Sequence, residues 1–218
     1  MAQVRAVETT QLDAGVTNVL KNTYMLLGIT IAFSAVMALV SMAVSAPYFG
    51  FLIFFGVFMF CSWMVEKNKN STAGLFWVFA LTGWLGFNLG PILSYYIGTG
   101  GIEPIVTALG GTAVAFFGAS AYVLTTRKNL SAWRGTLFIG MSVAFIAFVL
   151  NYFFFELPAL SLAISAMVIP IATGIIMWQT SEIIHGGERN YISATVMLFV
   201  MIYNLFISLL NLINFADD

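Results

Sequence analysis

The chain has 218 residues, of which 61% are hydrophobic, 16% aromatic and only 8% charged, with a formal net charge of −1. Soluble domains carry roughly a quarter charged residues, so a water-soluble fold is excluded and lipid must act as the solvent. The near-neutral balance gives no footprint for nucleic acid, and the single cysteine, Cys61, excludes an intramolecular disulfide.

In hydrocarbon, backbone polar groups must be paired within the protein, which leaves a helix bundle or a closed barrel. The apolar stretches run about twenty residues without alternation, far beyond the roughly ten residues of a barrel strand. The expected fold is therefore an all-α integral membrane protein. Residues 1–22 carry Arg5, Glu8, Asp13 and Lys21 and have no apolar signal core. They are expected as a polar cytoplasmic tail without strong structure signals rather than a cleaved targeting peptide. A transmembrane domain over 23–215 and a short outer tail at 216–218 follow.

Seven runs are long enough to span: about Thr23 to Ala46, Tyr48 to Val65, Ala73 to Ile97, Ile102 to Thr125, Gly135 to Phe155, Leu157 to Thr180 and Tyr191 to Phe215. Ala46-Pro47 and Glu156-Leu157-Pro158 read as tight corners, because a proline disfavours helix at the residue before it. Basic residues are retained on the cytoplasmic side. With the N-terminus inside, all eight Lys and Arg residues fall on that side and none on the other. The expected topology is N-inside and C-outside.

A faint repeat links Leu27-Gly28-Ile29-Thr30 to Leu109-Gly110-Gly111-Thr112, and Pro91-Ile92 to Pro170-Ile171. Three spans per unit would invert the second unit in the membrane. Gly86 and Gly90 form a G-x-x-x-G, and Gly111, Ala115 and Ala119 share fourth-residue spacing. Small residues let helix backbones approach closely, so both sets are expected at helix contacts. Pro91 is expected to kink the third span and free the carbonyl of Phe87.

Catalysis is disfavoured by elimination. A serine protease site needs a histidine base inside the membrane, yet the only histidine, His185, lies in the hydrophilic elbow of residues 182–190. No H-E-x-x-H or comparable ligand set is present, no lysine stands within a span for a Schiff base, and no cofactor is expected. The polar residues left in spans are Asn88, Asn151, Gln179, Asn204 and Asn211, each expected to be satisfied by a neighbouring helix. Glu182 and His185 stand at the cytoplasmic elbow, where a carboxylate could plug a cavity mouth and a histidine could titrate.

Several segments resemble the Bax inhibitor-1 family, and within it the bacterial YccA-like branch. Gly86-Phe87-Asn88-Leu89-Gly90-Pro91-Ile92-Leu93 is similar to the family's G-x-x-L-G-P-x-L signature. Ala108 and Thr112-Ala113-Val114-Ala115-Phe116 fit its continuation, except that Ala115 replaces a larger aliphatic. Ile183-Ile184-His185-Gly186-Gly187-Glu188, Asn190-Tyr191-Ile192, Ala194-Thr195 and Tyr203-Asn204-Leu205-Phe206 complete the match. The resemblance implies two inverted three-helix units around a central seventh helix.

It also implies two intramembrane aspartates sharing a proton in calcium-permeable members, since paired carboxylates in low dielectric cannot both ionise cheaply. Here those positions hold Gln179 and Met201. Neither titrates, and Met201 offers calcium no hard oxygen. A calcium or proton leak, with a calcium path along Gln179, Glu182 and backbone carbonyls, is the alternative reading. The first reading, implied by the YccA-like branch, is a bacterial inner-membrane protein that modulates the membrane AAA protease FtsH in membrane-protein quality control. The tail at residues 1–22 would be the handle.

Overall fold

In a computed structural model the backbone is described over residues 2–217 and side chains over 15–215. Seven helices follow one another: α1 (Ala2–Ala43), α2 (Phe51–Asn68), α3 (Thr72–Gly100), α4 (Glu103–Thr126), α5 (Arg134–Leu150), α6 (Pro158–Ile184) and α7 (Tyr191–Asp217). A 3-10 turn, Ser131–Trp133, leads into α5, and a π turn, Asn151–Phe155, ends it. Each helix is long and apolar enough to cross a membrane. The shortest, α5 with 17 residues, crosses together with the turns that flank it, as Ser131–Phe155, and α2 with 18 residues extends about 27 Å at 1.5 Å per residue, close to the hydrocarbon thickness of about 30 Å.

The exposed surface explains why such a sequence folds in lipid. Leu39 is 64% exposed, Ile139 67% and Phe154 74%, values that would mark aggregation sites in water but suit acyl chains. One expectation is changed at the start of the chain. The segment expected as a plain tail is helical from Ala2, in keeping with its Ala, Gln, Arg and Glu content. Its side chains before Gly15 lie outside the described residues, and of the outer tail expected at 216–218 the backbone of the first two residues continues α7 to Asp217 while the rest lies outside them.

The helix ends share a device. Ser45, Gly101, Arg127, Glu156 and Gly186 all take positive φ, and each stands just beyond a helical segment. After α1, the Ala46 N–H donates to the Ser41 carbonyl and the Ser45 N–H to the Met42 carbonyl. These two bonds satisfy carbonyls that a helix end otherwise leaves unpaired. The corners expected before Pro47 and Pro158 form in this way. Pro91 and Pro170, by contrast, lie inside α3 and α6, which continue through them.

Contacts divide the chain into two compact units. The first comprises Met1–Thr99 and Ile183–Phe199, the second Gly100–Glu182 and Val200–Asp218. Each unit thus takes three successive spans and part of α7. In the first, Leu26, Val65, Val78 and Ile192 form a buried cluster with Trp77, Phe79 and Val196 packed against it. In the second, the buried face of α4 runs through Ala108, Thr112, Phe116, Ala119 and Val123. The small-residue row expected from Gly111 and Ala115 lies at the margin of that face, and only Ala119 is fully on it.

The residues of the faint repeat hold similar places. A Cβ at Gly28 or Gly110 would meet nothing within 4 Å. Thr30 and Thr112 are both buried, and each hydroxyl donates to its own helix, to Leu27 and Ala108 respectively.

Candidate functional site

The family-signature residues of α3 form a candidate region within the first unit. Gly83, Gly86 and Gly90 fall on one helical face and press against α1. A Cβ on Gly86 would collide with the Ser34 carbonyl group, coming within 2.8 Å of its carbon. One on Gly90 would stand 2.5 Å from the Ser41 Cβ and 3.0 Å from the Ala38 carbonyl oxygen. These approaches are closer than real Cβ contacts, so only glycine permits this crossing. The expected G-x-x-x-G contact is therefore present, with α1 as its partner. Gly83, whose added Cβ would lie 2.8 Å from Phe33 Cε1, extends it and was not singled out by sequence. The α1 residues that receive the glycines include Ser34 and Ser41, both buried. With Thr23 and Thr30 they make a run of buried hydroxyls spaced seven, four and seven residues apart, all helical intervals, and that run was the overlooked signal.

The elbow between α6 and α7 is organised by Asn190. Its side-chain oxygen accepts from the Ile192 and Ser193 N–H groups at 3.0 and 3.1 Å, capping α7. Its amide donates to the Lys69 carbonyl at 3.0 Å and to Asn70 Oδ1 at 2.8 Å, in the α2–α3 connection. The Asn190 N–H donates to Glu188 Oε1 at 2.8 Å. One residue therefore caps a helix and fastens the elbow to a loop 120 residues away in sequence. Lys69 pairs with Glu66. The hydrogen bond to Glu66 holds the Lys69 ammonium above the ordinary lysine value, and the charge of Glu188 adds to it. Deeper in the unit, Thr195 donates to its own helix at Tyr191 and, at 3.3 Å, to the Thr23 carbonyl of α1.

The second unit contains the positions where the resemblance would put a titratable pair. Gln179 on α6 is 3% exposed and Met201 on α7 is 6% exposed. Beside Gln179, the Trp178 ring meets Phe138 edge to face at 5.3 Å between centroids, and the Arg134 guanidinium lies 5.6 Å from its centroid. Ser181 Oγ accepts from the Leu130 N–H and donates to the Lys128 carbonyl, both at 3.0 Å. This fixes the α4–α5 connection to the end of α6. Glu182 is half-buried, whereas His185, across the unit boundary, is exposed. Among the described residues, no three His, Cys, Asp or Glu side chains group in a way that could hold a metal ion.

The span amides behave in two ways. Asn211 donates to Ser165 Oγ of α6 at 2.9 Å, as expected of a bond between helices. Asn151 joins both sides of the α5–α6 corner, donating to Ser161 Oγ and the Leu157 carbonyl and accepting from the Leu157 N–H. Asn88 and Asn204 differ from the expectation. Each amide donates to the carbonyl four residues earlier in its own helix, Trp84 and Val200, at 2.8 Å, because that carbonyl is always within reach of a short side chain.

With these positions in place, the comparisons with known proteins agree with the resemblance. A family model described as "Inhibitor of apoptosis-promoting Bax1" matches residues 16–218. The modulator of FtsH protease YccA of Escherichia coli K12 is 48% identical over 199 residues, covering 91% of this chain and 90% of that protein. An uncharacterized protein of Pseudomonas aeruginosa is 49% identical over 210 residues, with 93% and 92% coverage. An uncharacterized membrane protein of Vibrio cholerae is 38% identical over 202 residues, with 92% and 90% coverage.

Proposed function

Because the chain belongs to the Bax inhibitor-1 family, we propose that it acts in the bacterial inner membrane as a modulator of an FtsH-type AAA protease. The observation that carries this reading is the 48% identity, over 91% of the chain, to a protein named for that role. On this reading the N-terminus and the basic loops are cytoplasmic, the C-terminus is outside, and the two three-helix units are inverted relatives. Residues 1–22 engage the protease in a quality-control or stress role.

The fold supports a physical account of how such a protein could occupy a processive protease. A motor that pulls from the N-terminus loads α1 first. That helix is seated against the glycines of α3 and is held at the Thr23 carbonyl by Thr195. Extraction requires that crossing to come apart in lipid, which would expose the buried Ser34 and Ser41 side chains where there is no water to bond. A chain that is easy to grip and hard to extract keeps the protease engaged.

The family's calcium or proton leak has less support here, because Gln179 and Met201 supply no titratable pair. Deleting Ala2 to Thr17 is expected to abolish turnover of the chain by the protease, followed as its half-life in membranes that contain the protease. The full chain is expected to co-purify with it. Unchanged turnover overturns the tail as the handle, and failure to co-purify overturns the modulator reading.

A further inference from the structure

The loop joining α4 to α5 reads Arg127-Lys128-Asn129-Leu130-Ser131-Ala132-Trp133-Arg134, with three cations and no carboxylate. Arg127, Lys128 and Arg134 are all exposed, and Trp133 is 61% exposed. The loop is held in shape from several directions. Arg127 takes a left-handed φ of 51° and its N–H closes α4 on the Val123 carbonyl at 2.8 Å. Asn129 Oδ1 accepts from the Ser131 N–H at 2.9 Å, and Ser181 grips the Lys128 carbonyl and the Leu130 N–H. Lys128 Nζ lies 5.6 Å from the Tyr122 ring centroid. The Tyr122 hydroxyl beside it raises the ammonium above the ordinary lysine value, so it stays charged.

Immediately beyond the loop, Leu124 on α4 and Ile139 on α5 are exposed apolar residues of the spans. The cations therefore stand at the height where acyl chains give way to headgroups, beside a tryptophan suited to that boundary. Two basic residues of the first unit stand beside carboxylates or a carbonyl. Lys69 pairs with Glu66 and feels Glu188, and Arg189 donates to the Gly186 carbonyl. The α4–α5 loop itself carries three cations and no carboxylate, so positive charge is in excess within it.

We propose that the α4–α5 loop is a binding site for the phosphate of an anionic phospholipid headgroup, with Arg127, Lys128 and Arg134 supplying charge and Trp133 lying against the glycerol region. The rigid loop holds the cations together before the lipid arrives, which lowers the ordering cost of binding. The full chain reconstituted in bilayers of phosphatidylcholine with a minor fraction of phosphatidylglycerol tests this. The readout is the part of the tryptophan fluorescence that Trp133→Phe removes, quenched by brominated phosphatidylglycerol or brominated phosphatidylcholine at equal mole fraction.

Stronger quenching by the anionic lipid is expected, declining as salt rises. Lys128→Gln and Arg134→Gln are each expected to lower the preference, by about fivefold at low salt. Lys128→Arg is expected to keep it, which separates charge from folding. Lys67→Gln, outside the loop, is expected to leave it unchanged. Equal quenching by the two lipids overturns the proposal, as does a preference that survives the two glutamine substitutions combined. Cross-linking from position 133 to an acidic protein rather than to lipid in native membranes would also overturn it, and would assign the loop to a protein partner.

Discussion

The two units close their helix contacts by different means. In the first, glycines of α3 meet the backbone of α1, with Gly86 against the Ser34 carbonyl and Gly90 against the Ala38 carbonyl. In the second, glycines face the ends of flexible side chains. A Cβ on Gly174 would lie 2.6 Å from Leu137 Cδ2, one on Gly140 3.1 Å from Ile171 Cδ1, and one on Gly111 3.3 Å from Leu209 Cδ1. The loops follow the same division. Asn190 fastens its elbow through both ends of its amide and caps a helix as well, whereas Ser181 makes two bonds through one hydroxyl. A side chain can rotate away from an intruding methyl group and a helix backbone cannot, so the first unit is the more rigidly specified.

The largest effect should come from the glycine crossing. Gly86→Ala forces α1 away from α3 and is expected to destabilise the protein by about 3 kcal/mol, read as a loss of thermal stability in detergent micelles. Gly174→Ala meets only a leucine methyl and should cost about 1 kcal/mol. Gly110→Ala, with nothing within 4 Å, should be neutral or stabilising, by up to about 1 kcal/mol from helix propensity alone. Equal losses at Gly86 and Gly174 would break the contrast between the units.

The number and order of the spans were legible in the sequence because lipid imposes a length and an apolar composition on each helix. The seven apolar runs correspond to the seven helices, and the corners at Pro47 and Pro158 were marked by the prolines themselves. The partners of those helices were less legible. Gly86 and Gly90 announced a close crossing, but nothing local to α3 names α1, and the serines that receive the glycines look like scattered polar residues until their spacing is set against the helical period.

The candidate site was legible only as chemistry. The residue types at 179 and 201 showed at once that no carboxylate pair exists. The roles of Asn190, Ser181 and Arg134 depend on contacts across large separations in sequence, where a periodic pattern carries no signal. Asn88 and Asn204 were misassigned to neighbouring helices for a related reason. An amide inside a helix always has its own carbonyl four residues back as a competing acceptor, and the sequence does not show which bond wins.

The Asn190 fastening can be divided by substitution. Asn190→Ala removes the cap and both amide bonds, and should cost about 2 kcal/mol. Asn190→Asp keeps an oxygen for the Ile192 and Ser193 N–H groups but loses the donors to Lys69 and Asn70, and should cost about half as much. Thermal unfolding of the two variants in the same detergent measures the difference. If Asp and Ala were equally damaging, the cap would contribute nothing and the elbow would be held by the loop bonds alone.

The most local effect is expected at Ser181, and it sharpens the comparison most. Ser181 is buried, but the Lys128 carbonyl and Leu130 N–H that it bonds belong to an exposed and a half-buried residue that water can reach, so Ser181→Ala should cost about 1 kcal/mol. Its consequence should be local. The Leu130 amide, which now donates to Ser181 Oγ at 3.0 Å, should exchange faster with solvent deuterium, while the Ile192 and Ser193 amides keep their protection. Asn190→Ala should give the converse pattern, because those two amides donate to Asn190 Oδ1. Reciprocal loss of protection would establish two fastenings that open independently. If either substitution accelerated exchange at both places, the loops would open as one cooperative element, and the difference in how they are built would have no consequence for their motion.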